Sequence, residues 1–490
     1  MKKIKLKEIL EIIGKYKIIN KNEDVRIKDV TDSSAEVKPG CLFVCIKGFS
    51  RDGHDFVNDA IKRGAAAILS SKEMQVPVKI PLIIVRDTKE TLYRIIDYFY
   101  SESKRNVKIF GITGTKGKTT VSYMIGEIIK KAMGEDVSII GTIAYKIGNK
   151  IYDSGNTTPS NLIIHRLIHE TVEKKIKNVV MEVSSHALDQ DRIKNVFFDV
   201  VVITNVTRDH FDYHGNYENY LNAKLKIVDH LKKGGVLVVN VDDESSGRFI
   251  KKAKNRKAKI ITYGMDKKAD IKVINSKISI KNMRARIMIK NRIYEINSNL
   301  IGEHNLHNIM ASIGAVMDSI KVKKIIRALT EFKGVKGRME VVYNKDFTVI
   351  VDYAHNTDSL KETLITLNKI KTGRIIVVFG AGGNRDKGKR PEMGAVAERF
   401  ADVIFVTSDN PRFENPKNII NDVLSGMKGN VKVYAVENRK KAIYKAIKMA
   451  DKNDIVLLAG KGHETYQEIN GVKYPFRDDK TALQAIKDLK

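Results

Sequence analysis

The stretch VKIFGITGTKGKTTVSYMIGEIIKKAM, residues 107–133, decides how the rest of the chain is interpreted. Its apolar start, Val107 to Ile112, is typical of a strand, and the apolar residues after Thr119 recur at helical spacing. A glycine-rich turn lies between the two. The pattern therefore predicts a strand, a tight turn and an amphipathic helix.

Such a turn exposes backbone N–H groups at a helix N-terminus, where the helix dipole also favours anions. We predict that it holds ATP phosphates, with Lys118 on the β- and γ-phosphates and the Thr119 hydroxyl on Mg²⁺. Ile112 stands where the strict pattern has glycine, so the loop is a variant. A plain glycine turn is the competing interpretation, which the G-K-T-T ending disfavours. The candidate ATP-binding residues of the loop are Gly114, Thr115, Lys116, Gly117, Lys118, Thr119 and Thr120.

The composition indicates a soluble globular protein. The chain has 490 residues, 42% hydrophobic and 30% charged, which is enough for about three domains. Its apolar runs are strand-sized, and charged residues interrupt the N-terminal one, so we expect no membrane insertion, no signal peptide and a cytoplasmic location. Cys41 and Cys45 are expected to be reduced core residues.

A formal net charge of +30 is compatible with nucleic-acid binding. The lysines are scattered among acidic residues, however, tryptophan is absent, and no nucleic-acid-binding motif occurs. A lysine-rich surface around a site for anionic small molecules is favoured, and a basic, ATP-driven nucleic-acid-binding protein remains the alternative from another class.

Strand and helix patterns alternate along the chain, which predicts an α/β fold in three domains, residues 1–104, 105–335 and 336–490. In the first, a helix over Lys89–Tyr100 is followed by the polar segment Ser101–Asn106, interpreted as a linker. The second is predicted to be a mostly parallel sheet with an antiparallel excursion at Ile271–Ile296. The third repeats the alternation with five strands: Thr348–Val351, Ile375–Phe379, Val403–Thr407, Val431–Tyr434 and Ile455–Ala459.

Polar side chains follow the predicted strands of the second domain. Glu182 ends one strand, and His210 lies in a loop with Asp209, Asp212 and His214. Carboxylates beside an ATP-type loop favour Mg²⁺, although such a cluster also suits a transition metal or an ordinary polar loop.

Nine further motifs make the family clear. They occur in this order: NTTP (156–159), EVSSHAL (182–188), TNVTRDHFDYHG (204–215), GEHNLHN (302–308), KGRME (336–340), DYAHN (352–356), GGNRDKGKRPEM (382–393), DNPR (409–412) and GKGHE (460–464). The chain resembles the Mur ligase family along its whole length.

The resemblance implies a UDP-binding N-terminal α/β domain, a central P-loop ATPase-like domain and a C-terminal Rossmann-like domain. It also implies ATP-dependent addition of the third amino acid to UDP-N-acetylmuramoyl-L-alanyl-D-glutamate in peptidoglycan precursor synthesis, through an acyl phosphate. Preset cations suit this reaction, because the phosphate, the carboxylate and the oxyanion are all negative. We expect a monomer that uses Mg²⁺ and binds no nucleic acid.

By the same resemblance, the catalytic residues are Lys118, Glu182, His210 and Lys224. Lys224 is expected as N6-carboxylysine, a carbamate that holds Mg²⁺ together with Thr119, Glu182 and His210. Without the resemblance it would be a solvated helix lysine. Further expected ATP contacts are Asn305, Asn308, Arg338, Asp352 and His355. The expected contacts to the UDP-N-acetylmuramoyl-dipeptide are Ser33, Phe49, Ser50, Arg51, Asn156, Thr157, Thr158, Ser184, Gln190 and Arg192.

The acceptor amino acid is predicted from DNPR. In the family this motif accompanies meso-diaminopimelate, because an arginine can pair bidentately with the distal carboxylate that lysine lacks. The implied pocket consists of Arg385, Asp409, Asn410, Pro411, Arg412, Gly460 and Glu464. A lysine-adding or folylpolyglutamate-type ligase of the same fold is the alternative, and DNPR alone would be a surface loop.

Several positions depart from the family pattern: Ser34, Lys116, Lys336, Asn384 and the segment Pro475–Lys480. Lys116 replaces an asparagine of the phosphate loop. Its side chain is expected either to add a phosphate contact or to point to solvent.

Overall fold

The computed structural model describes residues 4–48, 51–265 and 268–489. The chain divides into two compact units. The first contains Met1–Gly111, Asp136–Asp199 and Asn222–Lys232, and the second contains Ile112–Glu135, Val200–Leu221 and Lys233–Lys490. The three domain boundaries inferred from the sequence stay a prediction. Within the described ranges, no helix combines the length and the apolar character needed to cross a membrane.

The N-terminal region is built on a five-stranded sheet. Among its described residues the region contains seven strands, five of them in this sheet. They are β1 (Ile4–Lys5), β2 (Lys17–Ile19), β3 (Arg26–Ile27), β4 (Asp29–Thr31), β5 (Cys41–Val44), β6 (Ala65–Ser70) and β7 (Leu82–Ile84). Its helices are α1 (Leu6–Ile13), α2 (Val57–Lys62) and α3 (Thr88–Arg105), with 3₁₀ turns at Ser34–Glu36 and Gly53–Phe56. The sheet order is β2-β7-β6-β5-β4, and β1 pairs with β3 alone. Cys41 and Cys45 are free and buried, as predicted.

The predicted linker at Ser101–Asn106 is wrong, because α3 continues to Arg105. Asp87 caps the N-terminus of the helix by accepting a hydrogen bond from Glu90 N. Near the other end, the Ser103 hydroxyl is buried and bonds His169 Nδ1 at 2.8 Å. This contact 66 residues away holds the polar end of the helix in place, and local composition could not reveal it.

The middle region carries the largest sheet. Its strands are β8 (Lys108–Thr113), β9 (Val137–Ile140), β10 (Ala144–Ile147), β11 (Lys150–Asp153), β12 (Asn178–Glu182), β13 (Phe198–Ile203), β14 (Leu231–Asn240), β15 (Lys259–Gly264), β16 (Ile271–Ile278), β17 (Met283–Ile289) and β18 (Arg292–Ser298). Its helices are α4 (Lys118–Met133), α5 (Asn161–Glu173), α6 (Ser185–Asp189), α7 (Phe211–His214), α8 (Tyr217–Leu225), α9 (Ser246–Asn255), α10 (His304–Val316) and α11 (Val322–Thr330), with a 3₁₀ turn at Lys226–His230.

The order of this sheet is β11-β10-β9-β12-β8-β13-β14-β15-β16-β17-β18. The predicted strand, turn and helix around the phosphate loop are β8 and α4. The antiparallel excursion is confirmed, since β16, β17 and β18 form an antiparallel meander. The antiparallel hairpin of β10 and β11 at the other edge was not predicted.

The C-terminal region has a six-stranded sheet in the order β19-β20-β24-β21-β22-β23. Its strands are β19 (Glu340–Asn344), β20 (Thr348–Asp352), β21 (Ile375–Phe379), β22 (Val403–Val406), β23 (Lys432–Ala435) and β24 (Ile455–Ala459), followed by the hairpin β25 (Tyr466–Ile469) and β26 (Val472–Pro475). Its helices are α12 (Thr357–Asn368), α13 (Lys389–Phe400), α14 (Pro416–Leu424), α15 (Arg439–Met449) and α16 (Asp478–Asp488). All five strands predicted here are confirmed.

Strand order explains why motifs distant in sequence meet here. The strands β20, β24, β21, β22 and β23 run parallel, and only the edge strand β19 is antiparallel. Alternate residues of the strands enter two hydrophobic cores, one on each face, as Ile350 and Val351 do. The loops after β20, β24, β21 and β22 therefore emerge side by side at the carboxyl edge, where α/β sheets bind ligands.

Candidate active site

The phosphate loop in the second unit admits only glycine at two positions. A Cβ on Gly114, whose φ is 149°, would lie 1.9 Å from Thr204 Oγ1. Gly117 has φ 85° and precedes the first turn of α4, and a Cβ there would lie 2.5 Å from Asn308 Oδ1. At both positions a side chain would collide with a neighbouring side chain, and the positive φ favours glycine.

Side chains hold the loop in this shape. Lys118 Nζ folds back to donate to the carbonyls of Gly114, at 2.7 Å, and Thr115, at 2.9 Å. The hydroxyl of Thr115 contacts Tyr220 OH at 3.0 Å and accepts from Thr207 N, also at 3.0 Å. Burial raises the pKa of Tyr220, so it remains a neutral phenol. These hydrogen bonds fix the shape of the loop.

The side chain of Lys116 was expected either to add a phosphate contact or to point to solvent, and it does neither in full. Its N–H donates to Asn205 Oδ1 at 3.0 Å, and its carbonyl accepts from Thr204 Oγ1 at 2.6 Å. Its ammonium forms an ion pair with Glu362 of α12 while the side chain stays partly exposed. The departure from asparagine therefore links the phosphate loop to the C-terminal region.

Asn305 and Asn308 lie buried on α10 behind the loop. Asn308 Nδ2 donates to Asn305 Oδ1 at 3.0 Å, and Asn305 Nδ2 donates to Ile301 O at 2.8 Å. The side chains of both residues thus have their orientation set by hydrogen bonds. Thr119 is buried in the first turn of α4, and Thr120 follows it.

The nucleotide-side residues of the C-terminal region form a second group. Arg338 stacks over the Tyr353 ring at 4.8 Å, and the ring of His355 lies 4.6 Å from that of Tyr353. The carboxylate of Asp352 accepts from Met339 N at 2.9 Å and from the Thr363 hydroxyl at 2.8 Å. Asp352 therefore holds its neighbours in place.

Sequence reasoning missed His463 in this group. Its ring lies 4.9 Å from that of Tyr353, and its Nδ1 is buried with no hydrogen-bond partner among the described residues. Burial, together with the nearby Arg338, lowers the pKa of His463 to about 4. A neutral imidazole therefore faces this pocket. The signal was present in the GKGHE motif.

His210 occupies a left-handed backbone conformation, with φ 54°. Its side chain is half exposed, and its Nε2 lies 3.5 Å from Asp209 Oδ2. His214 packs edge-on against Tyr220, with ring centroids 5.3 Å apart. The loop thus presents an accessible imidazole in the second unit, as a ligand or a hydrogen-bonding group requires.

In the first unit, Glu182 ends β12 and is fully buried. Its Oε1 accepts from Thr142 N at 3.0 Å, and its Oε2 accepts from the Thr142 hydroxyl at 3.0 Å. The Thr142 hydroxyl also contacts that of Thr157 at 3.0 Å. Gly141 makes room for the carboxylate, since a Cβ there would lie 2.2 Å from Glu182 Oε1. Thr142, which sequence reasoning missed, therefore orients Glu182.

The remaining dipeptide-side residues converge in the same unit. The Thr158 hydroxyl donates to Glu182 O at 2.9 Å and accepts from Ser184 N at 3.0 Å. Arg192 Nη1 donates to Thr158 O at 2.9 Å, and its Nε donates to Gln190 Oε1 at 2.9 Å. The predicted cluster is thus one hydrogen-bonded network. The carbonyl of Asn156, in the same unit, accepts from Tyr145 OH at 2.6 Å.

Lys224 is 1% exposed near the end of α8. The alternative of a solvated helix lysine is therefore wrong, because helical position alone does not show which face is covered. The amine of Lys224 is therefore withdrawn from bulk water.

The uridine-side prediction falls partly outside the described residues, since Phe49 and Ser50 lie there. Ser33 N donates to Thr31 Oγ1 at 3.2 Å in the turn after β4. Arg51 is exposed, and its carbonyl accepts from Gly48 N at 2.9 Å.

The predicted amino-acid pocket forms where the loops after β21, β22 and β24 meet. Asn410 Nδ2 donates to Glu464 Oε2 at 2.9 Å, and Gly460 leaves room for Asp409, since a Cβ there would lie 2.7 Å from Asp409 Oδ2. Arg412 has φ 51°, and its Nη1 donates to Gly383 O at 2.6 Å. Pro411 O packs close to Gly383, and Arg385 is exposed. The structure therefore brings all seven residues to one edge of the sheet.

Two more residues complete this pocket and were missed. Glu468 of the hairpin accepts from Arg412 Nε at 3.2 Å. Lys461 is fully buried, and its Nζ donates to Glu464 Oε2 at 2.8 Å. The hairpin was not predicted, so Glu468 had no signal, whereas Lys461 stands within the GKGHE motif.

Asn384 and Glu414 support the neighbouring loop. Asn384 Oδ1 accepts from Phe413 N at 3.0 Å, so this departure from aspartate retains an acceptor. The buried Arg390 forks onto Glu414 with bonds of 2.9 and 3.0 Å. That bonding, helped by Asn384 N, lowers the pKa of Glu414 to about 2.

The candidate Mg²⁺ ligands fall into the two units. Thr119 and His210 belong to the second, and Glu182 and Lys224 belong to the first. Among the residues that the structure describes, no group of three or more His, Cys, Asp or Glu side chains is placed to hold a metal. The donor types still fit Mg²⁺, because a buried, preoriented carboxylate and a hydroxyl are hard oxygen ligands, whereas Lys224 fits only as a carbamate.

Three family models match the chain. The one described as "Mur ligase family, catalytic domain" matches residues 26–100, "Mur ligase middle domain" matches 112–316, and "Mur ligase, glutamate ligase domain" matches 337–462. Together the three matches cover most of the chain.

Curated relatives and solved structures agree with these matches. The chain is 44% identical to the UDP-N-acetylmuramoyl-L-alanyl-D-glutamate–2,6-diaminopimelate ligase of Aquifex aeolicus over 95% of this chain and 94% of the relative. It is 38% identical to the ligase of the same name from Halalkalibacterium halodurans, over 99% of both chains. A solved structure with this name has 29% identity and a TM-score of 0.70 over 99% of both chains. MurF from Acinetobacter baumannii, at 19% identity, has a TM-score of 0.68 over 100% of this chain and 99% of that one and shares the fold.

Proposed function

Because the chain belongs to the Mur ligase family, we propose that it is the ATP-dependent ligase that adds meso-2,6-diaminopimelate to UDP-N-acetylmuramoyl-L-alanyl-D-glutamate in peptidoglycan precursor synthesis. The observation that carries the proposal is the pocket at the carboxyl edge of the C-terminal sheet. There Asp409 and Asn410 of the DNPR motif, in the loop after β22, meet Gly460 and Glu464 in the loop after β24. An arginine beside carboxylates suits an acceptor that carries both ammonium and carboxylate groups.

The phosphate loop is the proposed ATP site. Its N–H groups and Lys118 bind the β- and γ-phosphates, and Asn305, Asn308, Arg338, Asp352 and His355 surround the rest of the nucleotide. A free carboxylate oxygen of the dipeptide attacks the γ-phosphorus, ADP leaves, and an acyl phosphate forms. The amine of diaminopimelate, having lost a proton, attacks the acyl carbon, and inorganic phosphate leaves as the amide bond forms. Lys118 stabilises the charge that develops on phosphate oxygens.

We propose that Thr119, Glu182, His210 and the carbamate of Lys224 hold Mg²⁺. When bound, the ion supplies positive charge that neutralises phosphate and carboxylate oxygens. The carbamate forms when the neutral amine of Lys224 attacks CO₂, which makes a C–N bond and releases a proton. The burial of Lys224 supports a role for this side chain other than that of a solvated surface lysine.

The substrate's nucleotide and peptide occupy the first unit in this proposal. Ser33, Arg51 and the segment containing Phe49 and Ser50 meet the uridine nucleotide. The network of Thr158, Ser184, Gln190 and Arg192, with Asn156 and Thr157, binds the muramoyl-dipeptide. Its internal hydrogen bonds fix these polar groups before the substrate arrives, which lowers the entropy cost of binding.

The experiment is phosphate release by the purified protein with Mg²⁺, ATP and UDP-N-acetylmuramoyl-L-Ala-D-Glu, with meso-diaminopimelate compared against L-lysine and the product mass checked. Turnover with diaminopimelate alone supports the proposal. Turnover with lysine would retain the ligase and overturn the reading of DNPR. Salt-sensitive DNA retention without turnover would favour the nucleic-acid alternative. We further propose a cytoplasmic monomer, to be tested by fractionation and sedimentation.

A further inference from the structure

Lys461 lies in the Gly-Lys-Gly turn that follows β24, and it is fully buried. Its Nζ donates to Glu464 Oε2 at 2.8 Å and to Asn410 Oδ1 at 3.1 Å, and it lies 3.6 Å from Asp409 Oδ1. An ammonium withdrawn from water is tolerated only where such partners surround it. Its place in the fold is therefore set by these three acidic or amide side chains.

All three partners belong to the proposed amino-acid pocket. Asn410 is further restrained, since its Oδ1 accepts from Glu468 N at 2.9 Å and its Nδ2 donates to Glu464 Oε2. Glu464 Oε2 thus receives two donors from within the protein. Glu464 Oε1 has no hydrogen-bond partner in the part of the chain that the structure describes, so it remains able to accept one from a ligand.

Lys461 also balances the charge of two carboxylates. Without Lys461, the carboxylates of Asp409 and Glu464 would share a largely buried corner with no cation bonded to either. Two like charges without a cation repel one another, which favours reorientation of one of the carboxylates. Such a reorientation would remove the oriented acceptor oxygen that an ammonium group of the ligand needs.

We propose that Lys461 is a positioning residue for the acceptor amino acid: it orients Glu464 so that Oε1 faces an ammonium group of diaminopimelate. The inference rests on the proposed function and deepens it. Lys461 contacts no reacting atom in this role and acts through Glu464.

The test is steady-state phosphate release by full-length Lys461→Met, with each of the three substrates varied in turn. Methionine retains the unbranched apolar stem and removes the ammonium. Truncating one partner of a buried charge pair should raise the KM for diaminopimelate about 30-fold or more. The KM values for ATP and for the UDP-linked dipeptide should stay within about twofold, because their proposed sites do not contain Glu464. Lys441→Met, at an exposed lysine of α15, is the matched control and should change none of them.

If Lys461→Met is too unstable to purify, the double variant Lys461→Met/Glu464→Gln removes the uncompensated carboxylate and is compared with Glu464→Gln. Equal KM values for diaminopimelate in these two support the proposal. An equal rise in all three KM values, or an unchanged KM for diaminopimelate in Lys461→Met, overturns it. If the wild-type protein itself fails to turn over with diaminopimelate, the proposed function fails, and this proposal fails with it.

Discussion

Thr142→Val tests how Glu182 is held. The substitution keeps nearly the same shape and removes the hydroxyl that donates to Glu182 Oε2 at 3.0 Å. The backbone bond from residue 142 to Oε1 remains, so one of the two donors from this residue is lost. A hydrogen bond to a charged group contributes about 1.5–3 kcal/mol, and Glu182 is fully buried. We therefore expect the free energy of unfolding to fall by about 2 kcal/mol.

The same bond should matter for activity if Glu182 holds Mg²⁺. If the activation free energy rises by about 2 kcal/mol because Glu182 is less well oriented, kcat/KM should fall 10- to 30-fold, since about 1.4 kcal/mol corresponds to a tenfold change in rate. The Mg²⁺ concentration that gives half-maximal activity should rise as well. Thr142→Ser, which retains the hydroxyl, is the control and should stay near wild type.

The assays are denaturant unfolding and phosphate release at varied Mg²⁺. A stability loss of the expected size with unchanged activity and Mg²⁺ dependence would show that the orientation of Glu182 is not used in catalysis. Unchanged stability would show that the hydroxyl bond contributes nothing.

Three further predictions concern the C-terminal region. Arg412→Lys, which loses the guanidinium fork, should lower kcat/KM for diaminopimelate about tenfold or more and leave the KM for ATP unchanged. Equal changes for diaminopimelate and ATP would contradict the proposed role of Arg412 in binding diaminopimelate. Arg439→Met leaves the fully buried Asp478 without its ion-pair partner at 2.6 Å and should lower the free energy of unfolding, measured with denaturant, by about 3–5 kcal/mol. Adding Asp478→Asn should recover part of that free energy. The pKa of Glu414 is about 2 because Arg390 binds it, so the stabilisation is complete above its ordinary pKa of about 4.3 and is lost as the pH falls toward 2. Glu414→Gln should therefore flatten the fall in thermal midpoint over that range, and equal slopes in the two proteins would refute this.

The local elements and the family were within reach of the sequence. Turn chemistry and apolar periodicity act over a few residues, so the phosphate loop between β8 and α4 and the five C-terminal strands were predicted correctly. The ordered motifs then identified the Mur ligase family, which the matches over most of the chain confirm. Helical spacing also accounts for the buried face of α1, where four of its five apolar residues, Leu6, Ile9, Leu10 and Ile13, are buried.

Interactions between distant segments were not within reach. Ser103 extends α3 through a contact to His169, and Glu468 meets Arg412 from a hairpin with no clear sequence signal. Thr142 reaches Glu182 across 40 residues.

The difference between what the sequence predicted and what it did not predict has one physical cause. Sequence by itself determined the strand, turn and helix around the phosphate loop and the five predicted C-terminal strands, because those depend on neighbouring residues. Only the tertiary structure decided that Lys224 and Lys461 are buried, because burial depends on which elements cover a side chain. For a lysine that difference decides its chemistry, since an ammonium removed from water must find a partner or lose its proton.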